Sequence, residues 1–336
     1  MSNTTQFTAA VNAGYAFKGQ TITIGGAMLD GAVVSGLPVH IPLAMMNRHG
    51  LIAGATGTGK TKTLQKMTEQ LSLAGVPCMV MDIKGDLSGI SRAGITNEKI
   101  EARQKAIGQS WSPQQLPIEF LTISQQAGTR VRATVLEFGP VLFSKVLELN
   151  DTQSGVVSII FKYCDDNQLP LLDLQDFKKV LQYLTNEGKV EATNLYGQIS
   201  PASVGTIQRK IIELETQGAN EIFGEPSFDV ADLIRCDNTG KGYISVLRLT
   251  DMQTKPKLFS TFMLSLMAEI YATFPEMGDV AKPKFCLFID EAHLIFDQAT
   301  NALLNQLEQT IKLIRSKGVG IYFITQNPVE IGRAHV

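Results

Sequence analysis

The sequence predicts an α/β fold: a mainly parallel sheet, a helical subdomain inserted between its strands, and a small β-rich module at the N-terminus. Three observations predict it. Residues 50–61, GLIAGATGTGKT, carry a short apolar run into a glycine-rich loop that ends in lysine and threonine. Strand-like and helix-like patterns then alternate, as in strand–helix–strand units. The strand-like runs are apolar almost throughout rather than at every second residue, which marks strands covered on both faces of a parallel sheet.

Each element can be justified in turn. Residues 1–46 mix short β-like runs, QTITIGG and GAVVSGLPVHIPL, with many glycines and no helical periodicity, so they read as the β-rich module. HGLIAG is a buried strand, and KTKTLQKMTEQLSLAG is a helix closed by Gly75. VPCMVMD is a second buried strand, ended by the turn-like KGDLSG. PIEFLTI (117–123) and VRATVLEF (131–138) are further strand candidates, and the first part of the core spans 47–139. Helical patterns fill 140–235. NDTQSGVVSIIFKYC opens on Asn150 or Asp151 as cap. DLQDFKKVLQYLTNEG has Asp173 as cap and Gly188 at its end. SPASVGTIQRKIIELETQG has Ser200 at the N-cap and Pro201 at the first helical position. The sheet resumes in 236–330 with GYISVLRL, KFCLFID and VGIYFIT. The last six residues, IGRAHV, resemble a translated sequencing adapter, so 331–336 are expected to be a non-native tail on a reading frame cut near Glu330.

Composition narrows the function classes. The 336 residues are 44% hydrophobic, enough for one large or two modest cores, and the formal charge of -2 gives no global basic bias towards nucleic acid. The four cysteines form no CxxC pair, and Cys78 and Cys286 fall inside apolar strands. A reducing, cytoplasmic compartment is therefore expected. The N-terminus lacks a basic segment leading into an apolar one, and the most apolar helix-like stretch, 259–274, is short for a span and contains Glu269. No membrane partner is expected. No His/Cys/Asp cluster has zinc-like spacing, so the expected metal is nucleotide-bound Mg²⁺.

The chemistry lies in three stretches. Gly54, Ala55, Thr56, Gly57, Thr58, Gly59, Lys60 and Thr61 match G-x-x-x-x-G-K-[ST] in full. Glycines let backbone N–H groups turn inward around a phosphate, and the helix that follows offers its positive end. Lys60 would reach the β- and γ-phosphates of ATP, and the Thr61 hydroxyl would ligate Mg²⁺. FCLFIDEAHLIF (285–296) ends a buried strand in Asp290 and Glu291. The first acid suits the Mg²⁺ shell and the second a general base that polarises the attacking water, which argues for hydrolysis. GVGIYFITQNP (318–328) ends in Thr325, Gln326 and Asn327, where an amide beside the nucleotide can sense the γ-phosphate.

The combination HGLIAGATGTGKT, MDIKGDLSG, FCLFIDEAHLIF and LIRSKGVGIYFITQNP resembles the HerA/FtsK branch of the P-loop ATPases, and within it the HerA-like, YjgR-type bacterial proteins. The resemblance covers roughly residues 45–330. It implies a RecA-like motor core, a homo-hexameric ring and translocation along double-stranded DNA. It also implies that Gln326 is the sensor and that Arg315 reaches the neighbouring subunit's nucleotide. Asp82 and Asp86 fall where the family places an acidic loop beside the site. The N-terminal module is short against the archaeal β-barrel, which leaves the family's nuclease partner in question. The sequence ends just after the sensor strand, which predicts an exposed sheet edge and impaired assembly. The leading expectation is therefore a DNA translocase or helicase-like ATPase. An ATPase switch that remodels or docks protein partners without threading DNA is the alternative. A small-molecule kinase fits poorly, because it would need a substrate lid rather than a helical insertion.

Overall fold

A computed structural model of the chain describes residues 3–278, 280–293 and 301–329. The expected tail, 331–336, lies outside these residues. A seven-stranded sheet runs in the order β3-β9-β8-β4-β7-β5-β6, with every neighbouring pair parallel. Its strands are β3 (Gly50–Ala53), β4 (Cys78–Asp82), β5 (Ile118–Thr122), β6 (Thr129–Arg130), β7 (Ile244–Arg248), β8 (Phe285–Ile289) and β9 (Val319–Thr325). Among the described residues β3 pairs with β9 alone, so the strand that feeds the glycine-rich loop lies at an edge of the sheet.

Alternation along the strands builds two cores. Cys78 and Val80 of β4, Cys286 and Phe288 of β8, and Tyr322 and Ile324 of β9 face one side. There they meet Leu64, Met67 and Leu71 of α2 (Lys60–Leu73) and Ile22 of β1 (Thr21–Leu29). Met79, Met81, Leu287, Ile289, Ile321 and Phe323 face the other side and join a larger core. That core is supplied by α4 (Val135–Val146), α5 (Asp151–Asp166), α6 (Leu174–Thr185), α8 (Pro201–Thr216), α9 (Pro256–Thr273) and α10 (Asn301–Ile314). α7 (Lys189–Tyr196) contributes Ala192. The apolar strands of the sequence thus bury both faces, as a parallel sheet requires.

β9 approaches the chain before β3 closely. A Cβ on Gly320 would sit 1.9 Å from the Met46 carbonyl oxygen, so only glycine fits there. The Tyr322 hydroxyl donates to the same carbonyl at 2.9 Å. His49, one residue ahead of β3, accepts the Ile321 N–H at Nδ1 (3.2 Å), which leaves Nε2–H to donate to the Ile311 carbonyl of α10 (2.8 Å). These bonds fix the strand that leads into the glycine-rich loop.

Several local readings are corrected. Residues 3–14 form a helix, α1 (Asn3–Gly14), with no buried residue, which is why no apolar periodicity marks it. β1 and β2 (Ala32–Pro42), within the β-rich stretch, pair as an antiparallel hairpin, and α3 (Glu98–Ala106) follows β4. The stretch 131–138 is not a strand: Thr134 caps α4 instead. Its hydroxyl accepts the Glu137 N–H at 3.2 Å, and Glu137 Oε2 accepts the Thr134 N–H at 2.6 Å. This reciprocal cap outweighs the β-branched residues around it. Gly188 does not end α6, which stops at Thr185; it is the N-cap of α7.

Candidate nucleotide-binding site

Four strand ends meet at one edge of the sheet. β3 runs out into residues 54–59, and the carbonyl of Thr325, the last residue of β9, accepts the Gly54 N–H at 3.3 Å. Gly57 (φ +80°) and Gly59 (φ +100°) take the left-handed backbone that favours glycine, and α2 begins directly at Lys60. Backbone N–H groups at a helix N-terminus behind such a turn form an anion cradle. The Lys60 ammonium folds over the loop and donates to the carbonyls of Gly54 (2.7 Å) and Ala55 (3.1 Å). Thr58 Oγ1 donates to Ala55 O at 2.8 Å.

β8 delivers the acid pair beside this loop. Asp290 and Glu291 are 5% and 4% exposed, so the end of the strand buries two carboxylates. The Asp290 carboxylate accepts the Glu291 N–H at 2.9 Å, and Glu291 takes a left-handed φ of +47°, which is strained for a residue with a side chain. Burial pushes the Asp290 carboxyl up to about 6. Burial acts on Glu291 in the same direction, but Lys84 and then Gln326 and His293 outweigh it and hold that carboxyl below its usual range. A bound divalent cation would favour the ionised form of Asp290.

Polar contacts connect the loop to the acid. Thr56 Oγ1 donates to Gln326 Oε1 at 2.9 Å, and Gln326 Nε2 donates to Glu291 Oε1 at 3.4 Å. The structure thus brings Thr56, Lys60, Thr61, Asp290, Glu291 and Gln326 together. Asp82 is fully buried, and its carboxylate accepts the backbone N–H groups of Gly85 (2.7 Å) and Leu87 (3.3 Å), so it shapes the loop after β4. Asp86 is exposed on that loop.

Arg315 stands apart. It is exposed in the turn Arg315–Lys317 that precedes β9, whereas the loop and acid pair lie past the C-terminal end of the same strand. The seven residues of β9 separate the two ends by about 20 Å. Arg315 therefore cannot reach the nucleotide site of its own chain.

Two neighbours of the acid were missed by sequence reasoning. Lys84 forms an ion pair with Glu291 Oε1, and His293 Nδ1 lies 3.4 Å from Oε2. The only signal for Lys84 was a lysine between Asp82 and Asp86; nothing in the sequence said which acid it would reach.

The donors fit nucleotide-bound Mg²⁺: a hydroxyl at the head of α2 and a buried carboxylate are hard oxygen ligands. Among the described residues no group of three or more His, Cys, Asp or Glu could hold a metal ion.

The family model described as helicase HerA-like C-terminal matches residues 29–335. Among solved structures, the bacterial conjugative coupling protein TrwB in its unbound form superposes with a TM-score of 0.59 at 16% identity, covering 98% of this chain and 72% of that one. TrwB in complex with ADP and Mg²⁺ gives 0.58 at 15% identity, covering 97% and 72%. VirB4 of Thermoanaerobacter pseudethanolicus gives 0.58 at 14%, covering 94% and 79%. At these identities the likeness establishes the fold, RecA-like with a parallel sheet. No curated protein matches the sequence.

Proposed function

The chain belongs to the helicase HerA-like C-terminal family, among the P-loop ATPases of the HerA/FtsK type, and on that premise we propose that it hydrolyses ATP as one subunit of a homo-hexameric ring motor that translocates double-stranded DNA. The observation that carries the hydrolytic part is the run of contacts from Thr56 through Gln326 to Glu291, which joins the phosphate loop to the candidate base. That TrwB is solved with ADP and Mg²⁺ supports the same reading.

In this reading residues 54–61 grip the phosphates, and Lys60 turns from the Gly54 and Ala55 carbonyls to the β- and γ-phosphates. Thr61 and Asp290 would hold Mg²⁺, which would neutralise phosphate charge. Glu291 takes a proton from water as the water oxygen bonds to the γ-phosphorus and the bond to the ADP oxygen breaks. Gln326, touching both the loop and the base, senses whether the γ-phosphate is present. Arg315, at the end of β9 away from the loop, completes the neighbouring subunit's site and so ties hydrolysis to assembly. Residues 47–139 and 236–330 form the motor core and 140–235 its helical insertion. A cytoplasmic compartment belongs to the same reading, supported by the thiols of Cys78 and Cys286 lying side by side on β4 and β8 without a disulfide. Among the described residues no helix is long and apolar enough to cross a membrane.

The near-neutral charge favours a second reading, an ATPase switch acting on protein partners. The ATPase rate measured with and without double-stranded DNA over a salt series, alongside the mass in solution, separates the two. DNA stimulation that weakens with salt, in a particle six times the chain mass, fits the translocase; no stimulation sinks it. Glu291→Gln should bind ATP without turnover, and unchanged turnover would refute the base.

A further inference from the structure

β4 and β8 are neighbours in register, with Met81 opposite Ile289, so the residues just past their ends emerge side by side. The loop after β4 is pinned by the Asp82 carboxylate and turns at Gly85 (φ +79°), where a Cβ would meet the Thr250 methyl group at 2.8 Å. Lys84 leaves this fixed turn and reaches Glu291 Oε1. Its own side chain is 45% exposed and that of Glu291 is 6% exposed, so a partly exposed cation is paired with a buried acid. Gln326 Nε2 donates to the same oxygen. Both donors claim Oε1, while His293 stands near Oε2 and the backbone of Glu291 is held in a strained conformation. A carboxylate so engaged is a poor acceptor for a proton from water, because proton uptake must first displace a charge-assisted hydrogen bond.

We infer that Lys84 is a positioning residue that restrains the base: while it holds Glu291 Oε1 the subunit idles, and its withdrawal frees the carboxylate to accept the water proton. The exposed ammonium can swing into solvent, so the pair can open without any change in the fold. Gln326 can keep Glu291 aligned after the lysine leaves, since its amide also bonds Thr56 of the loop. This inference rests on the general-base reading of Glu291.

The test uses the full chain with ATP and Mg²⁺ and no other partner. Lys84→Met should raise kcat about threefold or more at unchanged KM. Lys84→Arg, which keeps the pair, should restore the low rate. An unchanged or lower kcat for Lys84→Met overturns the inference, because the lysine would then be idle or would itself assist phosphoryl transfer. A second measurement needs no turnover. In the nucleotide-free protein, Lys84→Met should lower the unfolding midpoint when Glu291 is present and leave it unmoved in a Glu291→Gln background. Equal shifts in both backgrounds mean the pair does not exist and also overturn the inference. If neither the wild type nor Lys84→Met hydrolyses ATP while the midpoints remain coupled, the result counts against the hydrolytic reading of the site and against restraint of a base, leaving a structural pair.

Discussion

The helices between residues 135 and 216 and the strand ends at the nucleotide edge follow opposite local rules. In the helices, side-chain caps stand where chain chemistry favours them, at Thr134, Asn150, Asp173 and Ser200, and the inward faces are apolar. At the strand ends Asp82, Asp290 and Glu291 are buried, and Glu291 adopts a backbone that side chains avoid. Each of these features costs stability, and together they are what a hydrolytic site needs. The difference teaches that this molecule keeps its stability and its chemistry in separate places.

The largest effect that could break this separation is in the core. Phe177 is fully buried and packs against Phe143 with ring centroids 4.9 Å apart. Phe177→Ala should cost about 3–5 kcal/mol in denaturant unfolding, with turnover per folded molecule retained. Loss of turnover in the folded fraction would show that the two regions are coupled. Lys60→Ala is the reverse experiment. Among the described residues its ammonium bonds to loop carbonyls, so the nucleotide-free protein should unfold at the wild-type midpoint while ATP hydrolysis falls about a hundredfold or more. A lowered midpoint would mean the loop is also structural.

One residue of the helical side resembles the site, and it sharpens the comparison. Glu269 of α9 has its carboxyl raised to about 7 by burial, then by the nearby charges of Glu137 and Asp229, against a bond from the Val230 N–H. A carboxyl raised in the folded state holds a proton that the unfolded chain has already lost. Its effect is therefore to favour folding at low pH and to weaken it progressively as pH rises from about 4 to about 7, after which it is constant. Thermal midpoints over that window should fall less steeply in Glu269→Gln than in wild type. A parallel curve would show that Glu269 is ionised in the folded protein across the window.

What the sequence reveals divides along the same line. The loop 54–61, the acid pair and Gln326 were legible because each is a local pattern at the end of a local element. The caps Asp173 and Ser200 were legible for the same reason. Helix α1 was not, since it buries nothing and leaves no periodicity. The strand misread at 131–138 shows the converse, a β-branched run overruled by one reciprocal cap at Thr134. Lys84 could not be paired with Glu291 from the sequence, because their meeting depends on β4 lying next to β8 rather than next to β3. The distance of Arg315 from the site of its own chain likewise follows from strand direction.

The smallest effect tests whether the helical side is as modular as its caps suggest. Asn150 accepts the Gln153 N–H at 3.0 Å and Gln153 Oε1 accepts the Asn150 N–H at 3.1 Å, both at an exposed helix start. Asn150→Ala should cost about 1 kcal/mol, seen as a lower urea midpoint at an unchanged slope. Asn150→Asp keeps the acceptor and places a negative charge at the positive end of α5, so it should hold or slightly raise the midpoint. Neither change touches the nucleotide edge, and ATP turnover should stay at the wild-type value in both. A changed slope in Asn150→Ala would mean that α5 unfolds apart from the sheet. Because Val157 and Ile160 of α5 lie in the same core as Met79 and Ile289, the helices and the sheet are expected to unfold together, and the cap should report on the whole molecule.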